Sequence, residues 1–225
     1  MLSASGQQTP VIDSSRTKAT ALNGSISSAM CPPPATAAPT NIQHIWVVTG
    51  PAGSGKSTVG RYLQQQLGVP FIEGDDYHPT ANKQKMSTGT PLTDADRWDW
   101  LIALRSAATT LLSTLSTTNL APPTGVVVAC SALKKKYRDV MRVAAYGSPN
   151  VRIHFVYLKL DPSVLYERVS KRQAHYMKPT MVESQLKDLE EPGVGEWDAL
   201  TVDVKGSAES VQMDVMRAVA GAVGL

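Results

Sequence analysis

An α/β domain built on a parallel sheet is the fold this sequence predicts, on three observations. From Ile42 onward, short apolar runs alternate with stretches of helical periodicity, and five of the runs read as strands. Strands separated by helices pair in parallel, because a parallel pair needs a long crossover connection. A glycine-rich segment, Gly50–Ser57, stands between the first strand and the first helix. The chain is also long enough, at 225 residues with 42% hydrophobic and 18% charged content, to bury one sizeable core.

The elements follow in order. His44 to Thr49 reads as a buried strand, and Lys56 to Leu67 as the helix after the glycine-rich segment. Phe71 and Ile72 make a short second strand. Trp98, Leu101, Ala108, Leu112 and Leu115 recur at multiples of three and four, which predicts a long amphipathic helix over Asp94–Leu115 with Asp94 at its acidic, capping end. Asn119 to Gly125, with Pro122 and Pro123, is a loop. Val126–Ala129 is the third strand and Tyr137–Ala145 a helix, with Lys134 as an alternative start. Val151–Leu160 holds the fourth strand, and Pro162 suits the first turn of the helix that follows. Leu200–Val204 is the fifth strand. Val211, Val215 and Val219 mark the apolar stripe of a last helix.

Residues 1–41 differ in kind. They are rich in Ser, Thr, Ala, Pro and Gln, and Cys31 is followed by three prolines, which neither continue a helix nor sit in a central strand. The expectation is a disordered extension ahead of a domain at 42–225. An organelle transit peptide is the alternative, since the segment is Ser-rich and acid-poor, with Arg16 and Lys18 as its basic residues. No apolar run reaches the ~18 residues of a membrane helix. Two cysteines, Cys31 and Cys130, form no metal or redox motif, and a reducing, cytoplasmic setting is expected. A net charge of +3 gives no strong case for a nucleic-acid partner.

The segment Gly50-Pro51-Ala52-Gly53-Ser54-Gly55-Lys56-Ser57 satisfies G-x-x-x-x-G-K-[ST] at every fixed position, after a strand and before a helix. Glycines let backbone wrap an anion closely, and the N–H groups at the helix start face its phosphates. Lys56 is expected to reach the β- and γ-phosphates of ATP, and the Ser57 hydroxyl to ligate Mg²⁺. Thr58 either touches the α-phosphate or only opens the helix.

A phosphate loop alone does not separate kinase from ATPase, GTPase or switch. The second strand ends at Glu73-Gly74-Asp75-Asp76-Tyr77-His78-Pro79, beyond a strand's carboxyl end, where ligands of α/β sheets bind. A carboxylate there can orient or deprotonate an acceptor hydroxyl, or hold Mg²⁺, and Asp75 is the first choice. Alternatively Asp75 and Asp76 cap the next helix. His78 is either an anchor for a substrate oxygen or an exposed turn residue. Lys83, Lys85 and Arg97, then Lys134, Lys135 and Lys136, offer cations for an anionic acceptor, or solvated surface charge. Arg168 and Arg172 share a helix face and could close over the transferring phosphoryl group, or simply complement a helix end.

In further blocks of residues the chain resembles the gluconokinases. The blocks that carry the resemblance are His78-Pro79, Asn82 to Met86, Gly89 to Leu92, Asp94 to Trp98 and Cys130 to Asp139, joined by Arg168, Arg172, His175 and Gln185–Pro192. The resemblance spans about 44–205 and rests on the order and joint presence of short blocks. It implies a P-loop kinase fold, a three-layer α/β/α arrangement with a five-stranded parallel sheet and a mobile lid at about 168–190, often in a homodimer. It implies transfer of the ATP γ-phosphate to O6 of D-gluconate. It implies that Asp75 engages the acceptor hydroxyl or the metal, and that His78, Lys85, Arg97, Ser131 and Lys134 surround the sugar acid. One departure stands out: Ala174 replaces the glycine usual before the lid histidine.

Kinases for shikimate, a nucleotide or another small alcohol are the nearest alternatives. A non-catalytic ATP-gated binding module would keep the loop but not the acceptor carboxylate and lid arginines. A GTPase would need an Asn-Lys-x-Asp reader, which Asn82-Lys83-Gln84-Lys85 is not.

Overall fold

The computed structural model describes residues 42–117, 125–171 and 179–224. The expectations for residues 1–41, and those for Arg172, Ala174 and His175, fall outside the described residues. No described helix is long and apolar enough to cross a membrane.

Five strands, β1 (Gln43–Thr49), β2 (Phe71–Glu73), β3 (Gly125–Ala129), β4 (Val151–Lys159) and β5 (Ala199–Asp203), form one sheet in the order β2-β3-β1-β4-β5. Every pair in it is parallel. Among the described residues, seven helices connect and cover the strands: α1 (Lys56–Leu67), α2 (Thr80–Ser87), α3 (Asp94–Thr117), α4 (Lys135–Arg142), α5 (Pro162–Lys171), α6 (Pro179–Asp188) and α7 (Ala208–Val223). Short 3₁₀ turns follow β2 at Gly74–Tyr77 and α4 at Val143–Ala145.

The period of two along β1 divides the core. Ile45 and Val47 pack with Trp100, Leu101 and Leu104 of α3 on one face, while Trp46 and Val48 pack with Val59 and Leu63 of α1 and Val215 of α7 on the other. Helices therefore cover both faces of a sheet whose central strands are apolar on both sides, as a parallel sheet requires. Each fully buried Ile, Leu or Val contributes roughly 1.5–3 kcal/mol relative to exposure, so the strand bearing the phosphate loop is among the most firmly held parts of the chain.

Three helices depart from expectation. The cap of α3 is Thr93, not Asp94: Thr93 N–H and hydroxyl donate to Asp96 Oδ2 at 2.9 and 2.8 Å, in a variant of the reciprocal capping box. Asp94 is thereby left for other partners. Helix α2, whose sequence TANKQKMS has no apolar stripe, forms around the buried Asn82, which donates to Asp96 O at 2.6 Å. Helix α6 was not marked by its sequence either; Met181 and Val182 bury its inner side.

Candidate active site

Three loops meet beyond the carboxyl ends of β1, β2 and β3 and enclose a cleft of about 530 Å³. The first is the glycine-rich segment. Gly50, Gly53 and Gly55 take φ of 144°, 86° and 99°, where side chains strain the backbone. A side chain at Gly50 would also meet Ser54 Oγ at 2.9 Å and Leu158 O at 3.1 Å. Gly55 caps α1, whose start has no side-chain cap and no acid in its first turn, so the helix presents its amino end to the cleft. Ala52, Gly53, Gly55, Lys56, Ser57 and Thr58 line the cleft. Gly50, Pro51 and Ser54 lie behind them, Ser54 buried with its Oγ unpartnered among the described residues. Lys56 Nζ donates to Pro51 O at 3.0 Å, folding back over the loop. This is a cradle of the shape and polarity a triphosphate needs.

The second loop carries the acids. Asp75 and Asp76 sit exposed in the 3₁₀ turn and line the cleft. They do not cap α2, which starts behind Pro79 with no side-chain cap. Gly74 brings this turn against β3: a Cβ there would lie 2.2 Å from Ala129 O. Trp100 secures the turn on either side of Asp75 and Asp76. Its Nε1 donates to Gly74 O at 2.7 Å, and its ring stacks on His78 with centroids 4.1 Å apart. His78 is buried, not an exposed turn residue, and its Nδ1 has no partner among the described residues. Burial pushes its pKa down to about 4, against the pull of Asp75 and with help from Lys83 and Arg97, so the ring is neutral at pH 7. A neutral, orphaned imidazole nitrogen beside a carboxylate is a ready partner for a hydroxyl.

The third loop follows β3. Ser131 lines the cleft, and its carbonyl accepts from Gly50 N–H at 3.3 Å and from the Thr49 hydroxyl. Ala132 takes φ 35°. Arg138, 1% exposed, holds this turn by donating from Nη1 to Ala132 O, Leu133 O and Glu190 O, while its Nε and Nη2 grip Glu196 at 2.7 and 2.6 Å.

The expected cations separate into two groups. Arg97 and Lys83 line the cleft. Lys85 does not; it pairs with Asp96 at 2.6 Å, and that bond and those from Thr93 pull the Asp96 pKa down to about 2. Lys134 does not either. Its Nζ lies 2.8 Å from Asp188 and 3.2 Å from Asp94, which raises its pKa above the ordinary lysine value. Asp94 also takes Lys136 and the Tyr137 hydroxyl, and these hold its carboxyl below the usual range. Arg168 lies away from the cleft, donating to Val204 O at 2.8 Å.

Helix α6 contributes to the cleft as well, although of its lining residues only Gln185 stood out in the sequence, and then as part of the resemblance and not as a site residue. Met181, Ser184 and Gln185 line the cleft, and Gln185 Oε1 accepts from Ala52 N–H of the phosphate loop at 2.7 Å. The available signal was the polar Ser184-Gln185 pair between the apolar Val182 and Leu186.

Residues 45–191 match the AAA domain family. A probable gluconokinase of Schizosaccharomyces pombe is 42% identical over 180 residues, covering 79% of this chain and 90% of that one. The thermoresistant gluconokinase of Escherichia coli is 41% identical over 168 residues, covering 75% and 89%. Among solved structures, a gluconokinase from Sinorhizobium meliloti superposes with a TM-score of 0.65 at 38% identity, over 80% of this chain and 93% of that one.

Proposed function

The chain belongs to the gluconokinase family, its residues 45–191 forming an AAA domain, and we propose that it transfers the γ-phosphate of ATP to O6 of D-gluconate, giving 6-phospho-D-gluconate. The observation that carries this reading is one cleft holding both halves of the reaction: an uncapped phosphate loop on one wall, and Asp75, His78 and Arg97 on the other.

The loop N–H groups and Lys56 hold the terminal phosphates and take up charge as it develops on them. Ser57 and Asp75 are the residues that would hold Mg²⁺, and their oxygen donors suit a hard cation. When bound, that ion neutralises negative charge on the phosphates. Asp75 orients the acceptor hydroxyl and takes its proton. As the oxygen–phosphorus bond forms, the bond from Pγ to the bridging oxygen breaks, and ADP departs with that oxygen and the electron pair. His78 Nδ1 bonds a second hydroxyl, with Ser131 at the same wall. Arg97 meets the carboxylate of the sugar acid. Lys134 and Lys85 supply positive potential from outside the cleft. Arg168 and Arg172 belong to the same proposal as stabilisers of the transferring group, although Arg168 Nη2 donates to Val204 O here.

The test is ATP consumption measured over gluconate, its stereoisomers, shikimate and nucleoside monophosphates. Turnover with gluconate well above the others supports the assignment, and preference for any other acceptor overturns it.

A further inference from the structure

We infer that Asp188, the last residue of α6, is a positioning residue that aims Arg97 at the acceptor's acid group. The inference rests on the reading of Arg97 given above.

Arg97 is 8% exposed. A guanidinium so deeply placed needs partners for its charge, and which nitrogens those partners take decides what remains for a ligand. Nη1 carries both protein contacts, to Tyr137 Oη at 3.0 Å and to Asp188 Oδ2 at 3.2 Å. Nε and Nη2 donate to no described residue, and the side chain lines the cleft. Those two nitrogens form the edge that forks a carboxylate with two parallel hydrogen bonds. Pinning Nη1 from behind therefore does more than balance charge: it fixes the plane of the group and turns the carboxylate-binding edge outward.

Asp188 can do this without cancelling the positive field. Its other oxygen is taken by Lys134 Nζ at 2.8 Å. The connected cluster holds three cations, Arg97, Lys134 and Lys136, against two carboxylates, Asp94 and Asp188. One positive charge is left over, which suits an acceptor carrying one negative charge. Tyr137 is held in turn: its hydroxyl donates to Asp94, and its ring lies under Arg97, 5.4 Å from the guanidinium carbon.

The full-length D188N protein keeps the size of the side chain and removes the charge. Its KM for gluconate is expected to rise about tenfold, the loss of a charge-assisted hydrogen bond. kcat and the KM for ATP should stay within about twofold, a split that a general loss of structure would not produce. D188E should recover part of the loss. The double variant R97A/D188N should be no worse than R97A, because Asp188 acts through Arg97. An unchanged or lowered gluconate KM in D188N overturns the inference, and a lowered value would mean that Asp188 competes with the acceptor for the arginine. Losses that add in the double variant overturn it too. Should D188N lose its cooperative thermal transition, Y137F removes the other holder of Nη1 and carries the same expectation. The two readings fail separately. R97A with an unchanged gluconate KM removes the acceptor role of Arg97, whereas a raised KM in R97A beside a silent D188N removes only the role of Asp188.

Discussion

The two walls of the cleft are made of different material. The donor wall is largely backbone: glycines at φ of 86–144° and the amino end of α1, with Lys56 as the charged side chain that lines it among the described residues. The acceptor wall is side chains brought together from distant points of the chain, with Arg97 meeting partners 40 and 91 residues away. A backbone wall recognises what every nucleotide has, its phosphates. A side-chain wall can be rewritten residue by residue, and it is where one acceptor is told from another.

If that division holds, damage to the donor wall should slow turnover whichever acceptor is offered. K56A is the largest expected effect, a loss of about 10²-fold or more in kcat from lost charge stabilisation, read by steady-state kinetics; near-normal turnover would take Lys56 out of the chemistry. R97A comes next, on the other wall: gluconate KM rises by about ten- to a hundredfold while the KM for ATP barely moves. Equal changes in both constants would show that the walls are not separable. G74A is a test of the frame between them. Its Cβ would press on Ala129 O, and overpacking of this kind costs about 1–3 kcal/mol, to be read as a lower melting temperature.

The smallest effect is a pH dependence. The folded state holds His78 at a pKa of about 4 against an ordinary 6.5, mainly through burial. Between those values the unfolded chain binds a proton that the folded chain refuses, so stability falls as the pH is lowered through that window. His154, pushed down to about 4 by burial, adds in the same sense. Melting temperature measured from pH 7 to pH 4 should therefore decline less steeply in H78N than in the parent. Parallel curves would mean that His78 binds its proton equally well in the folded and unfolded chain.

The same division explains what was legible in the sequence. The donor wall could be read because left-handed backbone demands glycine, and that demand leaves a spaced motif. The strands could be read because a doubly covered sheet is apolar throughout, as in the fully buried Val126–Val128. Helix α2 could not, since its buried residue is a polar asparagine and not a stripe of leucines. The acceptor wall was legible only as residue types. Nothing local in the sequence says that Lys134 turns toward Asp94 and Asp188 while Arg97, equally basic, faces the cleft. That outcome depends on where α6 docks, and on Thr93 and Asp96 capping α3 so that Asp94 stays available.

The carbonyl of Ser131 is shared by Gly50 N–H and the Thr49 hydroxyl, so the exit of β3 and the start of the phosphate loop are stitched to each other at the level of the main chain. Gly74 is pressed against the end of β3 in the same layer. On the proposed roles, the spacing between the group that gives and the group that receives follows from the packing of the sheet. An enzyme built this way spends no binding energy on bringing its two stations together, and its substrates have only to dock into a journey whose length is already fixed.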